Sequence, residues 1–446
     1  MSLALLASAA SSGSAAQPGC DPARPAVAYF SGGVSAPGSK GAPVPCETLV
    51  GTTSESATVG VTSLGSVLYA PLLENTSPPP TNVLQGPEDV IRSKDLGATW
   101  TTLDSGGPTT SGLVPPWMSV DPNTSRIWFA TALPSLCGAR ISWSDDDGEH
   151  WQTNASVGCP AMGGEKLLEG PPPVSGPKPV GYPHVVYYCA NETDVAASNL
   201  WCYKSLDGGA TFSVAGGFPD PTPPAGCMEQ HPSRPGVVGP DGVLYFPTTL
   251  CGALGIAISP DEGATWQFRP IVDSGLQDIY TAGTAVDNKG KLYIAWIGPG
   301  TLPYLTTSTN RGVSWSAPIM VAPPGVQAVR RVAITARKRG QIALAYLGTT
   351  DGSYFNGYIT ESQNALARRP RFWGATVNDP ADPLVNAADS ETFGDRFFYG
   401  TTTIAPDGTA WAGFHCAKTS ACPGQRIGVV GRLTKHAAAK KPPLGG

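Results

Sequence analysis

Short runs of alternating apolar and polar residues recur along the chain, each broken by a tight turn of Asp, Asn, Pro or Gly. They read VTSLGSVLYA around Tyr69, SVDPNTSRIWFA around Trp128, PHVVYYC around Tyr187, VVGPDGVLYFP around Tyr245, AVDNKGKLYIAW around Tyr293, AITARKRGQIALAY around Ala343 and TIAPDGTAWAGF around Trp411. Period-two alternation flanking turn residues predicts antiparallel hairpins with one face buried. The pattern therefore predicts an all-β chain built from a repeated unit. The stretch from Ala57 to Leu433 divides into seven units of about 54 residues, enough for four short strands each.

A second repeat punctuates these units. The octet Ser-x-Asp-x-Gly-x-Thr-Trp appears as SKDLGATW (Ser93 to Trp100), SLDGGATF (Ser205 to Phe212) and SPDEGATW (Ser259 to Trp266). Looser copies are SDDDGEHW (Ser144 to Trp151) and STNRGVSW (Ser308 to Trp315). Their third positions, Asp95, Asp146, Asp207, Asp261 and Asn310, follow one another at about 49–61 residues, the spacing of one unit. The sixth and seventh units, TESQNALARRPRFW and TSACPGQRIGVVG, keep only strand-like flanks. An N-terminal segment, Ala26 to Phe30, is expected to pair into the last unit and close a ring.

The octet resembles the Asp-box (BNR) repeat of the sialidase-like β-propellers, over residues of about 55 to 435. The resemblance implies a single propeller of four-stranded antiparallel blades across 26–435. Seven blades are expected from the unit count, with six as the alternative. Within each octet, Ser and Asp can bond the turn backbone, Gly permits an unusual φ, and the terminal aromatic buries between blades. Asp95, Asp146, Asp207 and Asp261, and the acidic run Asp145 to Asp147, are accordingly read as structural and not as catalytic groups or metal ligands.

Composition narrows the function. The chain has 446 residues, 29 Lys+Arg against 34 Asp+Glu, and only 14% charged residues, which leaves no electrostatic footprint for nucleic acid. No stretch after the N-terminus is long and apolar enough for a spanning helix. Residues 1–25 resemble the end of a secretory signal, and 436–446 read as a basic tail. Ten cysteines point to an oxidising compartment, so the expected form is a secreted monomer. Proximity pairs Cys20 with Cys46, Cys137 with Cys159, Cys189 with Cys202, Cys227 with Cys251, and Cys416 with Cys422. No phosphate loop, HExxH or GxSxG elbow is present, and no cofactor is expected.

Function in a propeller concentrates where the inner strands converge on the axis. Those strands should begin about 11–15 residues before each mid-unit aromatic. At or somewhat beyond that distance lie Glu55 or Ser56, Trp117, Glu169, His231, Tyr280, Arg330 with Arg331, and Asp395 with Arg396. Glu229 lies beside His231, near Cys227, and Glu165 lies near Glu169. Asp395, Tyr280 and Glu229 are the catalytic candidates, with Tyr280 a nucleophile of the sialidase kind and carboxylates as acid and base. Arg330, Arg331, Arg396, His231 and Trp117 are the substrate-binding candidates, the arginines as bidentate clamps on a carboxylate. Plainer roles stand beside these: alternation would turn only one of Arg330 and Arg331 to the axis, and Trp117 is either a sugar platform or blade packing. The expected ligand is an extracellular glycan and the expected activity a sialidase-like glycoside hydrolase. The Phe/Tyr-Arg-Ile-Pro motif of sialidases is absent and the first inner strand has no arginine, so a non-catalytic glycan- or protein-binding propeller is the alternative.

Overall fold

A computed structural model describes residues 17–37, 41–54, 56–72, 89–106, 116–132, 138–154, 156–158, 162–192, 200–218, 235–250, 253–273, 282–387, 401–417 and 426–434. Apart from short 3-10 turns, every regular element among them is a strand. The chain is a propeller of four-stranded antiparallel blades. The first blade runs Ser56–Val61, Val67–Leu72, Ile91–Ser93, Thr101–Thr102, and the second Trp117–Val120, Ile127–Ala132, Ala139–Ser144, Gln152–Thr153. The third starts at Met162–Gly170, the fourth at Val237–Val238 and the fifth at Ala282–Val286, each a separate sheet.

The remaining strands differ from the expectation of seven separate sheets, because they form one sheet of eleven. One stack in it is Ala328–Ala336, Ile342–Thr349, Tyr354–Ser362 and Arg371–Thr376; the other is Thr402–Ile404, Ala410–Ala417, Arg426–Thr434 and Val44–Thr53. The short strand Val385–Asn386 joins them, antiparallel to Tyr354–Ser362 and parallel to Ala410–Ala417. The closing strand also differs from the expected one. Val27–Phe30 pairs with Arg371–Thr376, while Val44–Thr53 pairs with the final strand Arg426–Thr434. The early strand Val44–Thr53 and the final strand thus meet in one stack.

The mid-unit residues all lie on the second strand of their stack and are buried: Tyr69, Trp128, Tyr187, Tyr245, Tyr293, Ala343 and Trp411. Their side chains fill apolar clusters between neighbouring stacks. One cluster joins Trp117, Trp128 and Trp143 to Leu167, Val186 and Tyr188; another joins Val59 and Tyr69 to Trp411 and Val430. The disulfides Cys20–Cys46 and Cys189–Cys202 match the expected pairs, and Cys416 is also bonded. Cys137, Cys159, Cys227, Cys251 and Cys422 lie outside the described residues.

The octets form one conserved geometry within the chain. In the first, Ser93 Oγ donates to Asp95 Oδ1 at 2.8 Å and accepts the Gly97 N–H at 2.7 Å, while Asp95 accepts the Thr99 N–H and Oγ1–H. The other octets repeat this, with Asn310 Nδ2 donating to Ser314 where the carboxylate is lost. The sixth unit keeps the opening bond, Ser362 Oγ to Asn364 Oδ1 at 3.2 Å, although its sequence no longer reads as an octet. The fourth residue takes a left-handed φ, from 60° at Arg311 to 71° at Gly208, and reaches the preceding blade. There Arg432 donates to Leu96 O, Arg92 to Asp147 O, Arg126 to Gly208 O, and Arg269 to Arg311 O. In the fourth blade the Glu262 carboxylate takes Lys204 instead.

Around the axis the inner strands touch side by side in a closed circuit: Ser56–Val61, Trp117–Val120, Met162–Gly170, Val237–Val238, Ala282–Val286, Ala328–Ala336, Thr402–Ile404 and back to the first. Glycines alternate with branched side chains there. Gly60 receives Val120, Gly170 receives Val238, and Gly283 receives Ile334. A methyl on Gly60 would stand 2.5 Å from Val120 Cγ2 and 3.3 Å from Met118 Sδ. Gly60→Ala is expected to destabilise by about 1–3 kcal/mol, read as a fall in melting temperature, with Val120→Ala restoring part of it. Equal stability of Gly60→Ala and the parent would refute this packing.

Candidate functional site

Antiparallel blades give the molecule two distinct faces. Inner strands begin at one, the entry face; the connections from first to second and from third to fourth strand emerge at the other, the turn face. By sequence, Glu229, His231, Tyr280, Asp395 and Arg396 all fall between the end of one blade and the start of the next. All five lie outside the described residues.

Three of the expected binding residues are described. Trp117 starts the second inner strand as expected, but it is 5% exposed and its indole N–H donates to Leu167 O at 3.1 Å. The ring is packing between two blades, so no face of it is offered to a sugar. Arg330 and Arg331 lie near the start of Ala328–Ala336, where the register shifts between Arg330 and Ala333. This bulge breaks the strict alternation assumed from sequence, because an extra residue re-aims the side chains that follow. Arg330 stacks on Phe355, 4.2 Å from the ring centre. Arg331 is buried and carries a φ of 62°, a conformation that costs a non-glycine residue about 1–3 kcal/mol and clusters at functional positions.

The same register shift occurs on Met162–Gly170 between Gly163 and Lys166. Lys166, just past it, is completely buried, and sequence reasoning did not single it out. A lone Lys in a strand is common, and only the irregular GGEK run hinted at a bulge.

Glu169 lies at the other end of its strand. The expectation that it begins an inner strand fails because the following connection, residues 171–184, is unusually long. There it joins a polar group missed from sequence. Asp121, fully buried, accepts Tyr182 Oη, Thr124 Oγ1 at 2.9 Å and the Asn123 N–H at 2.8 Å, and lies 2.8 Å from His184 Nδ1. Arg126 covers the Tyr182 ring at 4.1 Å and forks onto Asp145. Burial pushes the Asp121 carboxyl up, but hydrogen bonds from His184, Tyr182 and the Asn123 N–H outweigh it and hold it down at about 2. Glu169 goes the other way: burial and the Asp121 charge raise it to about 8, against one weak bond from Ser119. One ionised and one protonated carboxyl thus sit together near neutral pH. The DPNT turn after Val120 was the available signal for Asp121, as an Asx turn.

The octet carboxylates are fully engaged in their own turns and are not available for chemistry. Hydrogen bonds from Thr99 to Asp95, and from His150 to Asp146, lower both to about 2. At Asp207 and Asp261 burial opposes the bonds from Thr211 and Thr265, and the bonds prevail.

No protein-family model matches the sequence, and no curated protein matches it. Among solved structures the chain is similar to a protein of unknown function from Dyadobacter fermentans, at 13% identity over 87% of this chain and 98% of that one (TM-score 0.43). It is similar to the intramolecular trans-sialidase of Ruminococcus gnavus in complex with oseltamivir carboxylate, at 14% identity over 86% of this chain and 96% of that one (TM-score 0.44). It is also similar to the Aleuria aurantia lectin in a fucosyl-saccharide complex, at 10% identity over 74% and 98% (TM-score 0.44).

Two titration outcomes are expected. A carboxyl lowered in the fold stabilises above its unfolded value and loses that contribution as pH falls, so the octets should weaken between about pH 4 and pH 2. Replacing Asp95, Asp146, Asp207 and Asp261 by Asn should flatten that limb of the melting-temperature profile; an unchanged slope would refute the assignment. For Glu169, raised in the fold, stability is greatest below about pH 4.5 and declines as pH rises to about 8. Glu169→Gln should remove this decline, and a parallel profile for the variant would show that Glu169 titrates normally.

Proposed function

We propose that the chain is a secreted, seven-bladed propeller of the Asp-box type that acts on an extracellular glycan at its entry face. The closed circuit of seven inner strands and the apolar cluster at each blade boundary support the count, with the eleven-stranded sheet taken as the sixth and seventh blades. The disulfides support an oxidising destination. No helix among the described residues is long and apolar enough to cross a membrane.

The reaction we propose is sialidase-like glycoside hydrolysis. Tyr280 would attack the anomeric carbon, with Glu229 taking its proton, and Asp395 would protonate the leaving oxygen and then activate water. Arg331 and Arg396 would hold a carboxylate of the sugar, with His231 beside them. The single observation that carries the reading is Arg331, held at positive φ on a bulged inner strand, where backbone strain accompanies a buried cation. Trp117 and Arg330 are left out, since Leu167 and Phe355 already engage them. A second reading, a glycan-binding propeller without catalysis, is favoured by one feature: the first inner strand, SATVGV, supplies no arginine.

A panel of sialosides and acidic polysaccharides separates the two. Hydrolysis predicts release of reducing ends, lowered on the order of 10²–10⁴-fold in Asp395→Asn with binding retained. Arg331→Ala should weaken binding of acidic sugars by roughly 10–100-fold and leave neutral ones unchanged. Binding without release on any substrate would leave the second reading, and neither binding nor release would end both.

A further inference from the structure

We propose that the turn face carries a docking surface for an anionic polysaccharide, spread over the fifth blade and the adjoining part of the eleven-stranded sheet. Three connections are knitted together there. The Asn288 N–H donates to Arg337 O at 2.9 Å, and the Ala365 N–H donates to Gly340 O at 2.9 Å. The Gly340 N–H in turn donates to Tyr293 Oη at 2.9 Å. Residues 287–291 contribute Lys289 and Lys291, residues 337–341 contribute Arg337, Lys338 and Arg339, and residues 363–371 contribute Arg368, Arg369 and Arg371. Lys289, Lys338, Arg339, Arg368 and Arg369 are exposed.

The three segments contain a single acidic residue, Asp287, and it is buried. Its carboxylate is taken by the N–H groups of Lys289 and Lys291 and by Tyr293 Oη at 2.7 Å. The five exposed cations thus share these segments with no other acidic residue. Asp241, paired with Arg311 at 2.7 Å, and the exposed Asp407 lie at the borders of the patch. Concentrating this much positive charge on one face of a chain of net charge −5 needs a reason, since like charges held together on turns repel.

The chemistry selects the class of partner. Arg369 stacks on Phe30 at 4.0 Å and Arg371 on Trp373 at 4.5 Å. Stacking fixes the guanidinium plane, and a fixed plane favours two-pronged bonding to sulfate or carboxylate groups. Each guanidinium also takes up one face of its ring, which leaves less aromatic surface for stacking a nucleic-acid base. A polysaccharide bearing repeated anionic groups can span turns of three hairpins without needing a cleft. This surface is independent of any reaction at the entry face.

The test uses the full chain on immobilised heparin, with neutral dextran as control, at about 0.15 M salt. Arg339→Ser with Arg368→Ser should weaken heparin binding by roughly tenfold, while Lys94→Ser with Lys178→Ser, two exposed cations elsewhere, should leave it unchanged. Should the first pair lower the melting temperature, Lys289→Ser with Lys338→Ser gives the same comparison. No retention of the parent, equal loss in both pairs, or tighter binding of duplex DNA than of heparin would overturn the proposal.

Discussion

The bond that the ring depends on runs across the boundary between blades, from a cation on one blade to the left-handed fourth residue of the next octet. Arg92, Arg126, Arg269 and Arg432 each donate to a backbone carbonyl there. A hydrogen bond to a charged group contributes about 1.5–3 kcal/mol, and losing one partner leaves the other desolvated. The positive φ matters because it turns that carbonyl outward from its own hairpin. The Ser and Asp bonds inside the octet hold the turn in a shape that exposes the carbonyl, so the internal and external halves of the motif are one device. Apolar packing supplies the bulk of the cohesion, but it is non-directional. At these four boundaries the seam bonds fix how the two blades are registered, and Val44–Thr53 completes the last stack by pairing with the final strand.

The all-β repeat was legible because its information is local. Turn residues and alternation lie within one hairpin, and the buried aromatics at Tyr69, Trp128, Tyr187, Tyr245 and Tyr293 mark the second strand each time. What was not legible depends on distance or irregularity. Glu169 was placed at the wrong strand end because the connection of residues 171–184 is longer than its counterparts. Arg330 and Arg331 could not be separated by alternation, since the bulge between Arg330 and Ala333 adds a residue that no period reveals. The closing strand was misplaced because both Val27–Phe30 and Val44–Thr53 have strand-like sequence, and only tertiary pairing distinguishes them. Asp121 was missed for a related reason: its partners Tyr182 and His184 are some sixty positions away in sequence.

The two faces are built under different constraints. On the turn face most connections are short, and groups such as Asp287 and the octet carboxylates are taken up within their own turns, whereas Asp121 draws on the long connection of residues 171–184. Backbone is therefore fixed there, and side chains that project beyond it, such as Lys338 and Arg339, are carried on a rigid base. Rigid presentation suits recognition of a repeated charge, where the gain comes from geometry already in place.

The entry face works from the opposite premise. Inner strands that were perfectly regular would point side chains alternately into the two blade boundaries, where apolar contacts claim them, as at Trp117. A group can leave that packing only where the pairing is interrupted, and two inner strands are interrupted in the same way, each beside a buried cation, Lys166 and Arg331. Both cations lie on inner strands, each beside a register shift and at the end where its strand begins.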